Sequence, residues 1–118
     1  MTEQETLIEK IIEGMREKKA HNITHVDLSK IETASAQHFV ICHGGSTLQV
    51  DAIADGVREY VEKNGGTRPF NYDGYQNSQW IIIDYGSIFA HIFLPETRER
   101  YNLEQLWADA TITNYPDE

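Results

Sequence analysis

Apolar residues at three- and four-residue steps open the chain. Leu7, Ile8, Ile11, Ile12 and Met15 fall on one stripe and predict an amphipathic helix over residues 2–19. Thr2 and Glu5 have capping-box spacing, Glu5 and Glu9 place negative charge near the positive end of the helix dipole, and Lys18 and Lys19 suit the other end. His21-Asn22 breaks the pattern. Ile23–Leu28 then alternates apolar and polar side chains, and His38–Cys42 is an almost continuous apolar run. Both predict strands, the second buried on two faces, with a polar loop between them. Gly44-Gly45-Ser46-Thr47 turns the chain into a second helix, N-capped by Ser46 or Thr47. Val50, Ile53, Ala54, Val57, Tyr60 and Val61 form its inner stripe, and Asn64-Gly65-Gly66 closes it.

Strand patterns crowd the last third. Thr67–Asn71 reads as a short edge strand, because Pro69 lacks a ladder donor. Trp80–Tyr85 and Ile88–Leu94 flank Gly86-Ser87, which predicts a hairpin, and Pro95 ends its second arm. A helical turn or two follows, then a short helix from Asn102 with Leu103, Leu106 and Trp107 inward. The order α-β-β-α-β-β-β-α predicts an α/β fold, a mixed β-sheet of about five strands with helices packed over it. One domain is expected over residues 1–110, followed by a loose acidic tail over 111–118.

Composition narrows the function classes. With 118 residues, 40% hydrophobic and 10% aromatic, the chain suits one packed domain and excludes a disordered one. The net charge of −9 argues against a broad basic face for nucleic acid. A single cysteine, Cys42, forms no internal disulfide. The charged N-terminal stretch lacks the apolar core of a signal peptide, and no run approaches the ~20 apolar residues of a membrane span. A cytoplasmic setting is the expectation, with no membrane partner.

Several constellations could carry chemistry. A glycine-rich strand-to-helix turn can cradle phosphate, yet Gly44-Gly45-Ser46 fits neither dinucleotide-binding nor P-loop spacing. Nucleotidyltransferases use a similar Gly-Ser turn, followed by paired carboxylates that hold metal. Here Asp51 and Asp55 lie one helical turn apart and Asp84 lies alone on the hairpin, so a metal-dependent nucleotidyltransferase is the alternative rather than the first reading. The five histidines show no second ligand pair at zinc spacing, and Cys42 and His43 diverge on a strand, so no metal, cofactor or nucleophile pair is expected. The hairpin is richer. Alternation groups Trp80, Ile82 and Asp84 on one face, beside Phe89, His91 and Phe93, with more bulk than one helix layer absorbs.

The run Trp80-Ile81-Ile82-Ile83-Asp84-Tyr85-Gly86, then His91-Ile92-Phe93, then Arg98 through Ala110 resembles the Iojap family of ribosomal silencing factors. Phe39 to Ser46, Val50 to Asp55 and Asp73-Gly74 fit the same pattern in order, so the resemblance spans roughly residues 5–110. It implies a nucleotidyltransferase-like topology without the catalytic carboxylate pair, and no enzyme activity. It implies a translation repressor that binds the large ribosomal subunit through ribosomal protein fourteen and sterically blocks joining of the small subunit. It also implies a homodimer off the ribosome. Three positions depart from the family pattern: Gln37, Leu48 and Asp73. The docking residues expected on this basis are Trp80, Asp84, His91, Phe93, Arg98 and Tyr101. The acidic balance fits docking on a basic ribosomal protein, without extensive direct nucleic-acid contact.

Overall fold

The computed structural model describes residues 2–117. Thr2 precedes α1 (Glu3–Glu17), and its side-chain oxygen accepts the N–H of Glu5, completing the cap. Ile8, Ile11, Ile12 and Met15 are buried, with Leu7 at the margin. β1 (His21–Asp27) and β2 (His38–His43) pair antiparallel. In α2 (Thr47–Gly65), Ser46 is the N-cap and accepts from the Gln49 N–H, while Gly66 closes the helix at φ 70°. The two helices meet across Gly14, where a Cβ would approach Val57 Cα to 3.0 Å. Glycine is what lets the backbones come this close.

Beyond α2 lie β3 (Asn71–Asp73), β4 (Trp80–Asp84), β5 (Ile88–Phe93), α3 (Pro95–Tyr101), α4 (Leu103–Leu106) and β6 (Thr111–Tyr115). The sheet order is β3-β4-β5-β2-β1-β6; β2 and β5 run parallel and the other neighbours antiparallel. The edge strand begins at Asn71 rather than Thr67, although the Phe70 N–H already donates to the Asp84 carbonyl at 2.8 Å.

The sheet therefore has six strands, and the sixth corrects the expectation of a loose tail. Thr111-Ile112-Thr113-Asn114-Tyr115 carries β-branched and aromatic residues that suit a ladder, despite the acidic flank and Pro116. It pairs with β1, Thr113 opposite His25. Side chains pin it. Thr24 Oγ1 donates to Asn114 Oδ1 at 2.9 Å, and the Asp117 carboxylate accepts the Asn22 N–H at 2.8 Å. The same carboxylate lies 3.0 Å from His21 Nδ1.

Strand alternation divides the core into two layers. On one face Val40, Cys42, Ile81, Ile83, Ile88, Ala90 and Ile92 pack beneath α1 and α2. On the other, Val26, Phe39, Ile41 and Phe93 meet Leu28, Ala36 and the margins of the 28–36 loop, with Leu103 and Trp107 above. Leu106 does not join them. It is 68% exposed, because α4 is a single turn and presents only Leu103 and then Trp107 to the sheet. Among the described residues no helix is long and apolar enough to cross a membrane.

Candidate functional site

The second sheet face is thinly covered, and the hairpin forms its outer part. Register places Trp80 opposite Phe93, Ile82 opposite His91 and Asp84 opposite Phe89, all on the side away from α1 and α2. Trp80 is half-buried. Its ring stacks on Phe93 at 4.9 Å between centroids and meets Tyr101 at 4.7 Å. Tyr101, at the end of α3, is 51% exposed. Ile82 and Phe89 are half-buried on the same face and extend the apolar surface beside Trp80. They obey the same alternation that singled out the hairpin, and their accessibility was the missing information.

The six expected docking residues separate into two tiers. Trp80, Asp84 and Tyr101 retain accessible surface. His91 is 3% exposed and Phe93 1%, so neither offers a side chain for direct contact, which corrects their expected role. Phe93 fills the second core layer. His91 sits against Phe39 edge-on at 4.5 Å, and its Nδ1 accepts the Trp80 indole N–H at 3.0 Å. Burial pushes its pKa down to about 3, which keeps the ring neutral. That bond assigns the proton to Nε2, which is buried without a partner among the described residues. Asp84 serves the turn as well as the surface, its Oδ1 accepting the Gly86 N–H at 2.7 Å.

Arg98 is also buried, at 8% exposure, and its expected contact role is corrected in the same way. Its Nε donates to Glu104 at 3.3 Å, Nη1 to the Asn22 carbonyl at 2.8 Å and to His43 Nδ1 at 3.0 Å, and Nη2 to Thr24 Oγ1 at 3.1 Å. Burial, then the Arg98 guanidinium and His21, hold the His43 pKa below its ordinary value, so it serves as a neutral acceptor.

A family model described as ribosomal silencing factor during starvation matches residues 1–118. The chain belongs to the ribosomal silencing factor family. It is 35% identical over 98 residues to a Bacillus subtilis ribosomal silencing factor, covering 83% of this chain and 81% of that one. A crystal structure of a Chromobacterium violaceum protein superposes with a TM-score of 0.83 at 30% identity, covering 92% of this chain and 88% of that one. A mouse relative named for mitochondrial assembly of the ribosomal large subunit is 30% identical over 94% of this chain and 48% of its own length. The family description is that of a regulator rather than an enzyme.

The Gly-Ser turn of this silencing-factor chain is filled from within. Gln49 Oε1 accepts the Gly45 N–H at 2.7 Å, while its Nε2 donates to the Lys19 carbonyl at 3.2 Å. The Gly44 N–H donates to Phe93 at 2.9 Å. Asp51 is engaged by the Ser78 hydroxyl and Asp55 by Tyr75, while Asp84 lies on β4, so the three carboxylates serve separate structural bonds. Among the described residues no group of three or more His, Cys, Asp or Glu is placed to hold a metal ion. His25 Nε2 and His38 Nδ1 share one hydrogen bond at 2.9 Å, whereas His21 is tied to Asp117. Cys42 is fully buried, and burial pushes its thiol pKa up, which suits a small core hydrophobe. Of the three departures from the family pattern, Gln37 bonds Gln4 at 2.8 Å and Leu48 stands exposed on the first turn of α2, whereas Asp73 pairs opposite Ile82 at the margin of the aromatic face and accepts the Gly74 N–H at 2.9 Å.

Proposed function

We propose that this chain represses translation by docking on the large ribosomal subunit, through ribosomal protein fourteen, and sterically excluding the small subunit. The observation that carries this is the half-covered aromatic face, with Trp80 stacked on buried Phe93 and in contact with exposed Tyr101, and with Ile82 and Phe89 alongside. Large aromatic groups backed by a rigid core are what a protein interface uses as anchors. Trp80, Asp84 and Tyr101 make the contact, while His91, Phe93 and Arg98 hold it in shape from below. The helix layer on the other side carries many of the acidic residues, including Glu3, Glu5, Glu9, Glu17, Asp55 and Glu59, all exposed. Net charge of −9 favours approach to a basic ribosomal protein and disfavours contact with surrounding RNA phosphate.

The membership of the chain in the silencing-factor family supports the repressor role, and the large-subunit name of the mouse relative supports the side of the ribosome. Under the same proposal the chain works in the cytoplasm and pairs with a second copy when off the ribosome. The test is co-sedimentation with purified subunits. Binding to isolated large subunits, with little binding to joined ribosomes, is the expected result. Equal binding to both populations would overturn steric exclusion. Recovery of ribosomal protein fourteen in a cross-link to Tyr101, and its loss on Trp80→Ala, would identify the contact.

A further inference from the structure

Arg98 spends its guanidinium inside the fold, yet it sits one helical turn from the most exposed aromatic residue of the docking face. Its four side-chain bonds reach three separate elements: Glu104 on α4, Asn22 and Thr24 on β1, and His43 at the end of β2. The corner it anchors is built around Asn102, which has φ 46° and ends α3 while capping α4. The Asn102 N–H donates to the Arg98 carbonyl at 2.8 Å, so main chain and side chain of Arg98 both serve this corner. Tyr101 immediately precedes Asn102 and lies against Trp80 at 4.7 Å. Tyr101 is half-exposed, and among the described residues its side chain makes no hydrogen bond.

We propose that Arg98 is a positioning residue for docking: by clasping the α3–α4 corner to the ends of β1 and β2, it sets Tyr101 against Trp80 in the arrangement a protein partner meets. The proposal rests on the docking face described above and assigns that face its support. Chemistry singles out arginine. A planar guanidinium satisfies a carbonyl, a hydroxyl, an imidazole nitrogen and a carboxylate at fixed angles, whereas a lysine ammonium is a single point with three donors on a flexible stem. Arg98→Lys therefore keeps the charge and loses the clasp. His43 must stay an acceptor for the clasp to hold. The charged or titratable groups around it are Arg98 itself, His21 from β1 and Asp117 beyond β6.

The experiment is a mutant cycle read as affinity for isolated large ribosomal subunits, with circular dichroism to establish that each variant is folded. Arg98→Lys is expected to bind about tenfold more weakly than the unaltered chain. In a Tyr101→Ala background the same replacement should change affinity less than about twofold, because the residue through which Arg98 acts is gone. General loosening of the fold would weaken both backgrounds alike. Glu104→Gln removes the ionic part of the clasp and leaves Arg98 in place, and its cycle with Tyr101→Ala carries the test if Arg98→Lys fails to fold. Arg98→Lys or, in that event, Glu104→Gln binding like the unaltered chain overturns the proposal, as does an undiminished loss in the Tyr101→Ala background. Loss on Tyr101→Ala without loss on Arg98→Lys rejects the positioning role alone. Unaltered binding by both Trp80→Ala and Tyr101→Ala rejects the docking face itself, and the positioning role with it.

Discussion

The indole N–H of Trp80 donates to Nδ1 of His91 across the β4–β5 pairing, and this bond requires an unprotonated nitrogen at that position. His91 therefore stays neutral far below the usual imidazole range, its pKa pushed down to about 3 by burial. His25, His38 and His43 are also held below their ordinary value, by burial first. The unfolded chain binds these protons at about pH 6.5, while the folded chain does not, so acid favours unfolding. Stability contributed by these rings is complete above that pH and falls as pH descends toward their folded values. Asp117, lowered by the Asn22 N–H and then by His21, adds a loss in the same direction at still lower pH. Thermal midpoints followed by circular dichroism should fall between about pH 8 and about pH 5, and His91→Phe should make that fall shallower. A flat profile for the unaltered chain would contradict the neutral-ring assignment.

Phe93 and Tyr101 both pack on Trp80 and should respond to truncation in opposite ways. Phe93→Ala empties a core position and should cost about 3–5 kcal/mol of stability. Tyr101→Ala removes an exposed ring and should cost under about 1 kcal/mol. Its loss should instead be seen in large-subunit affinity. Urea unfolding and co-sedimentation of the two variants separate the outcomes.

Much of this division was legible in the residues themselves. Period-two alternation from Trp80 to Phe93 placed six side chains on one face, and Gly86-Ser87 placed the turn. Ser46 capped α2 as its hydroxyl and position required. Alternation gives a face and says nothing about how deeply each member lies: Phe39 and Trp80 cover His91, and the second core layer encloses Phe93. Arg98 was harder still. Its partners Asn22, Thr24 and His43 lie 76, 74 and 55 positions away, and only the assembled sheet brings them together. In β6 the acidic flank and Pro116 obscured a strand whose pairing depends on the edge that β1 offers.

Two glycines give a sharper test of backbone geometry. Gly74 has φ 106°, and a Cβ there would lie 2.1 Å from the Trp80 carbonyl oxygen and 3.0 Å from Ile81 Cα. Both obstacles are main chain of β4. Gly74→Ala should cost about 3 kcal/mol or more and disturb Trp80 fluorescence. Gly65 ends α2 with open space where its Cβ would stand, so Gly65→Ala should stabilise by about 0.5–1 kcal/mol in the same urea experiment.

Removing residues 111–118 takes away β6 and leaves the outer edge of β1 without its ladder. The truncated chain should melt at lower temperature and self-associate with rising concentration, as seen by light scattering. Asp117→Asn should act more mildly, since it keeps the ladder and weakens only the clip to Asn22 and His21. Unchanged melting after truncation would mean that β6 adds nothing to the sheet.

Of the two neighbours of β1 in the sheet, β6 is the strand furthest from it in sequence among those described, and this sets an order of events during synthesis. The first helix and the first two strands leave the ribosome early, and β5 must then enter beside β2 across a long intervening segment. Only afterwards does β6 arrive to cover β1. A nascent chain thus carries an open hydrogen-bonding edge for most of its production, which favours slow closure and calls for little delay at the end. Codon changes that pause translation just before Thr111 should therefore lower soluble yield more than the same pause placed just before Thr47.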